Sequence, residues 1–256
     1  MFDFTQLGIF FLVLARVTGF ILTCPLFAQR FFPSLARAGL AVGLAGALYP
    51  AAAAVAGELP AGPLGFTLEL LEETAVGLGL GVFTNFVFQA LRVAGQIVGF
   101  QIGFAMAEVV DPTFGTQTSI IAEFLYMLGV VFFFCIDGHH SLILALDRSF
   151  HFIPPGEAVF SGTAAEVVAR GFQGMFVAGL RLAGPVIAVV LVTDLALGLL
   201  VRLVPQINVF MLGFPLKIMA GVFTLAVTVP FLGGVLTRLF DAMTRDLMIL
   251  IKGLSG

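Results

Sequence analysis

The sequence has no tryptophan, two tyrosines, two cysteines and few charges. Its 12 Lys and Arg with 15 Asp and Glu make up 11% of 256 residues, less than half the roughly 25% of soluble domains. A soluble protein of this length needs more polar side chains to cover its surface, so a soluble enzyme is excluded. A net charge of −3 offers no basic surplus, and nucleic acid is excluded as a partner. The 60% share of hydrophobic residues excludes a disordered chain. Cys24 and Cys135 both lie in apolar runs and read as small buried hydrophobes. Phe supplies 29 aromatics against Tyr49 and Tyr126 alone. The usual Trp/Tyr belt at the bilayer interface is therefore nearly missing, a first sign that this chain does not meet lipid in the ordinary way. No positive charge precedes the first apolar run, and Arg16 interrupts it. That is not the pattern of a removable signal peptide, so the first segment is expected to stay as a helix.

What is present is hydrophobic length. With a mean hydropathy of +1.12, the chain reads as an all-α integral membrane protein built of helical hairpins. Apolar stretches at 4–28, 35–56, 66–105, 120–136, 172–201 and 214–251 predict about six long helices. Breakers divide them: Phe32-Pro33-Ser34, the 57–65 stretch, Asp111-Pro112, Pro154-Pro155-Gly156 and Pro205. The runs are solid rather than alternating, which argues against a membrane barrel. Stretches 66–105 and 214–251 would each make a helix of roughly 60 Å, twice the thickness of the hydrocarbon core. Such helices must tilt, break (Pro230 could kink the last) or project beyond the bilayer under cover of other proteins. Basic residues after the first segment (Arg30, Arg37) and after the fifth (Arg202, Lys217) put those connections in the cytoplasm. Glu58, Glu69, Glu72 and Glu73 put the second connection outside, and both termini with it.

The third segment carries Asn85, Gln89, Arg92 and Gln96, spaced by four, three and four and so on one helical face. Each such group needs a partner in an apolar medium. Gly95, Gly99 and Gly103 repeat every fourth residue, as do Gly77 and Gly81, and let another helix approach closely. Packing within the chain and packing between subunits use the same physics and stand at even odds here. Arg16 and Asp194 sit inside apolar segments. An ion-coupled secondary transporter would use them in a substrate path, but they are few and not clustered, so structural ion pairing is the better reading. Asp137-Gly138-His139-His140 reads as a helix-ending turn with exposed histidines rather than a metal site, since adjacent histidines generally point apart. No phosphate loop, GxSxG elbow or HExxH helix is present. No catalytic set, cofactor or metal is expected.

The stretch Arg202-Leu-Val-Pro-Gln-Ile-Asn-Val-Phe-Met-Leu-Gly-Phe-Pro-Leu-Lys217 resembles the signature of the FliR family of flagellar and virulence type III secretion systems. The rest of the pattern follows in order: Arg16, Gly19, Pro25, Pro33 and Arg37, then Gly95, Gly99, Gln101 and Gly103, then Asp111-Pro112, Asp137-Gly138-His139 and Pro154. The resemblance implies a subunit of the export gate in the bacterial inner membrane at the flagellar basal body. It implies assembly with several copies of FliP and FliQ homologues, with an FlhB homologue, FlhA and rod proteins nearby, to pass unfolded polypeptides. It also implies two parts, a FliP-like part over 1–165 and a FliQ-like hairpin over 166–256. In that family a loop at the place of 106–119 plugs the channel. Met106, Val109, Val110 and Phe114 would be the apolar seal, with Asp111, Pro112 and Gly115 breaking the helix. Irregular backbone at membrane depth survives only where protein covers it or a cavity adjoins it. Asn85, Gln89, Arg92, Gln96 and the three glycines would face protein rather than lipid. Arg202, Pro205, Gln206, Asn208, Pro215 and Lys217 would form a cytoplasmic turn bracketed by the two prolines at the gate entrance.

Overall fold

The computed structural model describes residues 4–27, 33–60, 62–104, 119–204, 206 and 209–255. Among these the chain is helical, with seven helices: α1 (Phe4–Thr23), α2 (Ser34–Ala53), α3 (Pro63–Ile102), α4 (Ile120–Cys135), α5 (Gly138–Phe152), α6 (Gly162–Leu203) and α7 (Val209–Gly253). Five of them, α1, α2, α3, α6 and α7, are long and apolar enough to cross a membrane, and α4 with α5 makes a sixth if the pair counts as one span. The all-α membrane reading holds, with changed boundaries. α5 is the helix that hydropathy misses, because Asp147, Arg148 and three histidines dilute its apolar residues. α6 starts ten residues before the apolar run at 172, since Glu166 and Arg170 are good helix formers that hydropathy scores as loop.

The breakers act locally. Pro33 holds the extended backbone before α2 (φ −58, ψ 141). Pro63 opens α3, where its missing N–H costs nothing. Asp137 separates α4 from α5 in the left-handed region at φ 55, which Asp tolerates better than most residues. Pro215 departs from expectation. It lies inside α7 rather than at the edge of a turn. A proline in the second turn removes one backbone bond, to the carbonyl four residues back, and the apolar helix continues past it. Cys135 also departs from expectation: Cys24 is buried, whereas Cys135 is exposed.

The helices sort into two compact units. The first comprises residues 1–86, 133–173 and 240–256. In it α1 buries Leu12, Val13, Val17, Phe20 and Ile21 on a three-and-four repeat. Also buried in this unit are Ala41, Ala45 and Leu48 of α2, Val76 and Leu80 of α3, and Leu142, Leu146 and Phe150 of α5. Where α1 crosses α3 the two backbones touch. A Cβ on Gly77 would overlap the Arg16 carbonyl, and one on Gly19 would press the Thr74 carbonyl, so glycine sets this crossing distance. The second unit comprises 87–132 and 174–239. Its core holds Leu91, Ala94 and Val98 of α3, Ala122, Leu125 and Tyr126 of α4, Val186 and Val190 of α6, and Leu232 and Leu236 of α7.

Candidate functional site

The helix ends that frame the 106–119 loop are well defined. At the end of α3 the Gly103 N–H donates to the Phe100 carbonyl (3.2 Å), and the Phe104 N–H reaches back to the Gly99 carbonyl (3.0 Å). With Gly103 at φ +94, this is the glycine-terminated stop in which two otherwise orphaned carbonyls are satisfied. The return is at Ser119, whose carbonyl accepts the Glu123 N–H at 3.1 Å as α4 begins. The two ends adjoin: a Cβ on Gly99 would run into the Ser119 hydroxyl, and one on Gly95 into the Ala122 backbone. The end of α3 and the start of α4 therefore pack side by side. Met106, Val109, Val110, Asp111, Pro112, Phe114 and Gly115 lie outside the described residues.

The glycines of the third segment thus serve packing within the chain. Gly95 and Gly99 are buried, and Gly103 meets the Phe214 ring of α7 at 2.9 Å from where its Cβ would be. What they meet is the chain itself. Of the polar residues on this face, Asn85, Gln89 and Arg92 are half-buried and Gln96 is exposed. Arg92 reaches Glu123 at 3.5 Å and lies 3.9 Å over the Tyr126 ring. The charge expected to need a partner has found one on α4, together with a ring face that binds guanidinium well.

In the connection between α6 and α7, Arg202 and Gln206 are exposed. Pro205 and Asn208 lie outside the described residues. Lys217 forms an ion pair with Asp194. The intramembrane acid is therefore a clamp between α6 and α7, on either side of their connection.

Arg16 is completely buried, and so is its partner Glu73. The guanidinium forks onto the carboxylate through Nε at 2.6 Å and Nη2 at 2.8 Å, the geometry in which an Arg–carboxylate pair is strongest. Nη1 donates to the Ser149 hydroxyl at 3.3 Å, and the Phe150 ring lies 4.3 Å beneath. Glu73 in turn accepts the Gly156 N–H at 3.0 Å, and Glu72 accepts the Ala158 N–H. The pair thus fastens α1 and α3 to α5 and to the 154–158 turn. Glu73 was readable only as a topology charge. The signal for its true role was a group of acids, Glu69, Glu72 and Glu73, at the start of an apolar helix, with Arg16 standing as an unmatched charge inside another.

The Asp137 turn holds a surprise of the opposite kind. His139 and His140 do not point apart; their ring centroids are 4.3 Å from each other. The αL backbone at Asp137 folds its carboxylate back to 3.7 Å from Nδ1 of His140. One ligand atom from each of Asp137, His139 and His140 falls within 4.8 Å of the others. The side chains of Asp137 and His140 are about three-quarters exposed, and such exposed groups are common without an ion, so we assign no metal to them.

Comparison with known proteins places this architecture. The family described as "Bacterial export proteins, family 1" matches residues 7–243. The flagellar biosynthetic protein FliR of Bacillus subtilis is 32% identical over 251 residues, covering 94% of this chain and 95% of that protein. FliR of Escherichia coli is 32% identical over 249 residues, covering 97% and 94%. FliR of Caulobacter vibrioides is 30% identical over 217 residues, covering 85% and 86%. With five helices of membrane length among the described residues and a match running through both units, the chain belongs to family 1 of the bacterial export proteins.

Proposed function

We propose that this chain is a subunit of the type III export gate of a bacterial flagellum, seated in the inner membrane and forming part of the conduit for unfolded polypeptides. The observation that carries this reading is its likeness, along nearly its whole length, to proteins named for flagellar biosynthesis. The partners are FliP and FliQ homologues in several copies, an FlhB homologue, FlhA and rod proteins. Residues 1–165 take the FliP-like role and 166–256 the FliQ-like hairpin.

Within that reading, Met106, Val109, Val110, Asp111, Pro112, Phe114 and Gly115 form the plug. Gly99 and Ser119, which flank that segment, pack against each other. A seal of Met and Phe side chains stops ions yet yields to a chain passing through. Asn85, Gln89 and Gln96, on the edge beside the paired Arg92, meet a neighbouring subunit. The 202–217 connection, with Arg202, Pro205, Gln206 and Asn208, faces the cytoplasm at the entrance and contacts the FlhB homologue. The transporter reading has no observation in its favour: Arg16 and Asp194 each have an ion partner, Glu73 and Lys217.

Two measurements test this. Removing the chain from its host should abolish secretion of flagellar proteins, and a plasmid copy should restore it; unchanged secretion would end the gate assignment. Deleting residues 110–115 should make membranes that overproduce the complex leak ions or small solutes. Intact assembly with unchanged conductance would end the plug assignment alone.

A further inference from the structure

α6 and α7 enclose a groove of about 730 Å³ in the second unit. Its walls are apolar, with Val177, Leu182, Phe231 and Val235 among them, yet two arginines, Arg181 and Arg238, open into it. No acidic residue lines it. Cations inside membrane helices need counter-charges, and three others in this chain have them: Arg16 has Glu73, Arg92 has Glu123 and Lys217 has Asp194. Among the described residues, neither Arg181 nor Arg238 has a hydrogen bond or ion pair, and both are exposed. Two uncompensated guanidinium groups in one groove ask for an anion, because Arg presents a donor fork that matches phosphate. The apolar walls ask for hydrocarbon. A free inorganic anion would satisfy the first demand and leave the second unmet.

We propose that this groove is a binding site for an anionic phospholipid, with the headgroup phosphate held by Arg181 and Arg238 and acyl chain lying along Val177, Leu182, Phe231 and Val235. The proposal does not depend on the export reading. It rests on the charge pattern of the groove and on the bareness of its walls, where Val177 keeps 42% and Phe231 73% of its exposure. Lipid bound here would cover part of that surface and neutralise both cations together.

The test is native mass spectrometry of the full chain in detergent with phosphatidylglycerol or with phosphatidylcholine of the same acyl chains. Phosphatidylglycerol should bind about tenfold more tightly, the order expected for charge-assisted hydrogen bonds on a partly exposed site. The R181Q/R238Q variant should erase that preference, and R181K/R238K should keep part of it. R148Q/R245Q, which removes the same charge outside the groove, should leave it intact. Each single Gln variant should lose part of the preference, which keeps the test alive if the double variant does not fold. Equal binding of the two lipids overturns the proposal, as does a preference that survives both single Gln variants. Displacement of phosphatidylglycerol by millimolar inorganic phosphate would assign the site to a free anion. Adducts on the isolated chain that vanish once it is purified with its membrane partners would assign the groove to an acidic protein surface.

Discussion

Two arginine environments mark the difference between the two units. In the first unit Arg16 is wholly buried and satisfied by a carboxylate, a hydroxyl and an aromatic face. In the second, Arg181 and Arg238 stand exposed in a groove without an acid. The same residue type serves opposite ends. A buried charge costs several kcal/mol of desolvation and persists only where the chain supplies every partner. A charge left open on an apolar face is an unfinished contact that something outside the chain completes. The packing varies helix by helix: α1 of the first unit hides half of its most apolar window inside the chain and α2 of the same unit 22%, while α6 and α7 hide 17% and 11% of theirs.

The comparison breaks most readily at Glu73. Glu73→Gln keeps the shape but leaves a buried guanidinium without its counter-charge, at a cost of about 3–5 kcal/mol. That is a large fraction of the stability of an ordinary domain. Little monodisperse protein should be recovered in mild detergent, and Arg16→Leu with Glu73→Leu should recover more than either single change. Wild-type yield and melting temperature for Glu73→Gln would show that the pair is idle and the contrast between the units empty.

A smaller effect is expected from glycines. Gly77→Leu drives a side chain into the Arg16 carbonyl, and something must shift because the obstacle is backbone. Overpacking of this kind costs about 1–3 kcal/mol. Gly184 of α6 has nothing within reach of an added Cβ, so Gly184→Leu should leave the isolated chain as stable as before or slightly more so, since glycine is a poor helix residue. Thermal denaturation in detergent of both variants measures the difference. Equal destabilisation would mean that the α6 surface is as closely packed as the α1–α3 crossing.

Much of this was legible in the sequence, for reasons that differ by feature. The long helices were visible because apolar length is what a bilayer selects. The glycine repeat announced a close approach, but periodicity cannot say whether the approaching helix belongs to the same chain. Gly95 turned out to meet α4, and Gly99 the Ser119 side chain just before it. α5 was invisible because a helix that is half polar has no hydropathy signal. Pro215 misled because a proline in the early turns of a helix and a proline in a loop look alike without the backbone. The Arg16–Glu73 pair spans 57 positions, and no local pattern reports a contact at that range. The groove was unreadable for the same reason: Arg181 and Arg238 come to line one groove only once α6 and α7 pack.

The smallest effect sharpens the comparison by testing an intermediate case. Asp194 and Lys217 form an ion pair like that of Arg16 and Glu73, but their side chains keep 41% and 25% of their exposure. A half-solvated pair gains little from its Coulomb attraction and loses rotamer freedom in both partners, so exposed pairs are worth less than about 1 kcal/mol. Asp194→Asn should therefore lower the melting temperature far less than Glu73→Gln does, and raising the salt concentration should shrink even that difference, because exposed charges are screened. The position of the pair matters more than its strength, since it ties α6 to α7 on either side of the 204–208 connection. Its loss should instead show as faster proteolysis or hydrogen exchange in that connection, an opening local to the hairpin. A large fall in global stability on Asp194→Asn, equal to that of Glu73→Gln, would mean that burial is not what separates the two units.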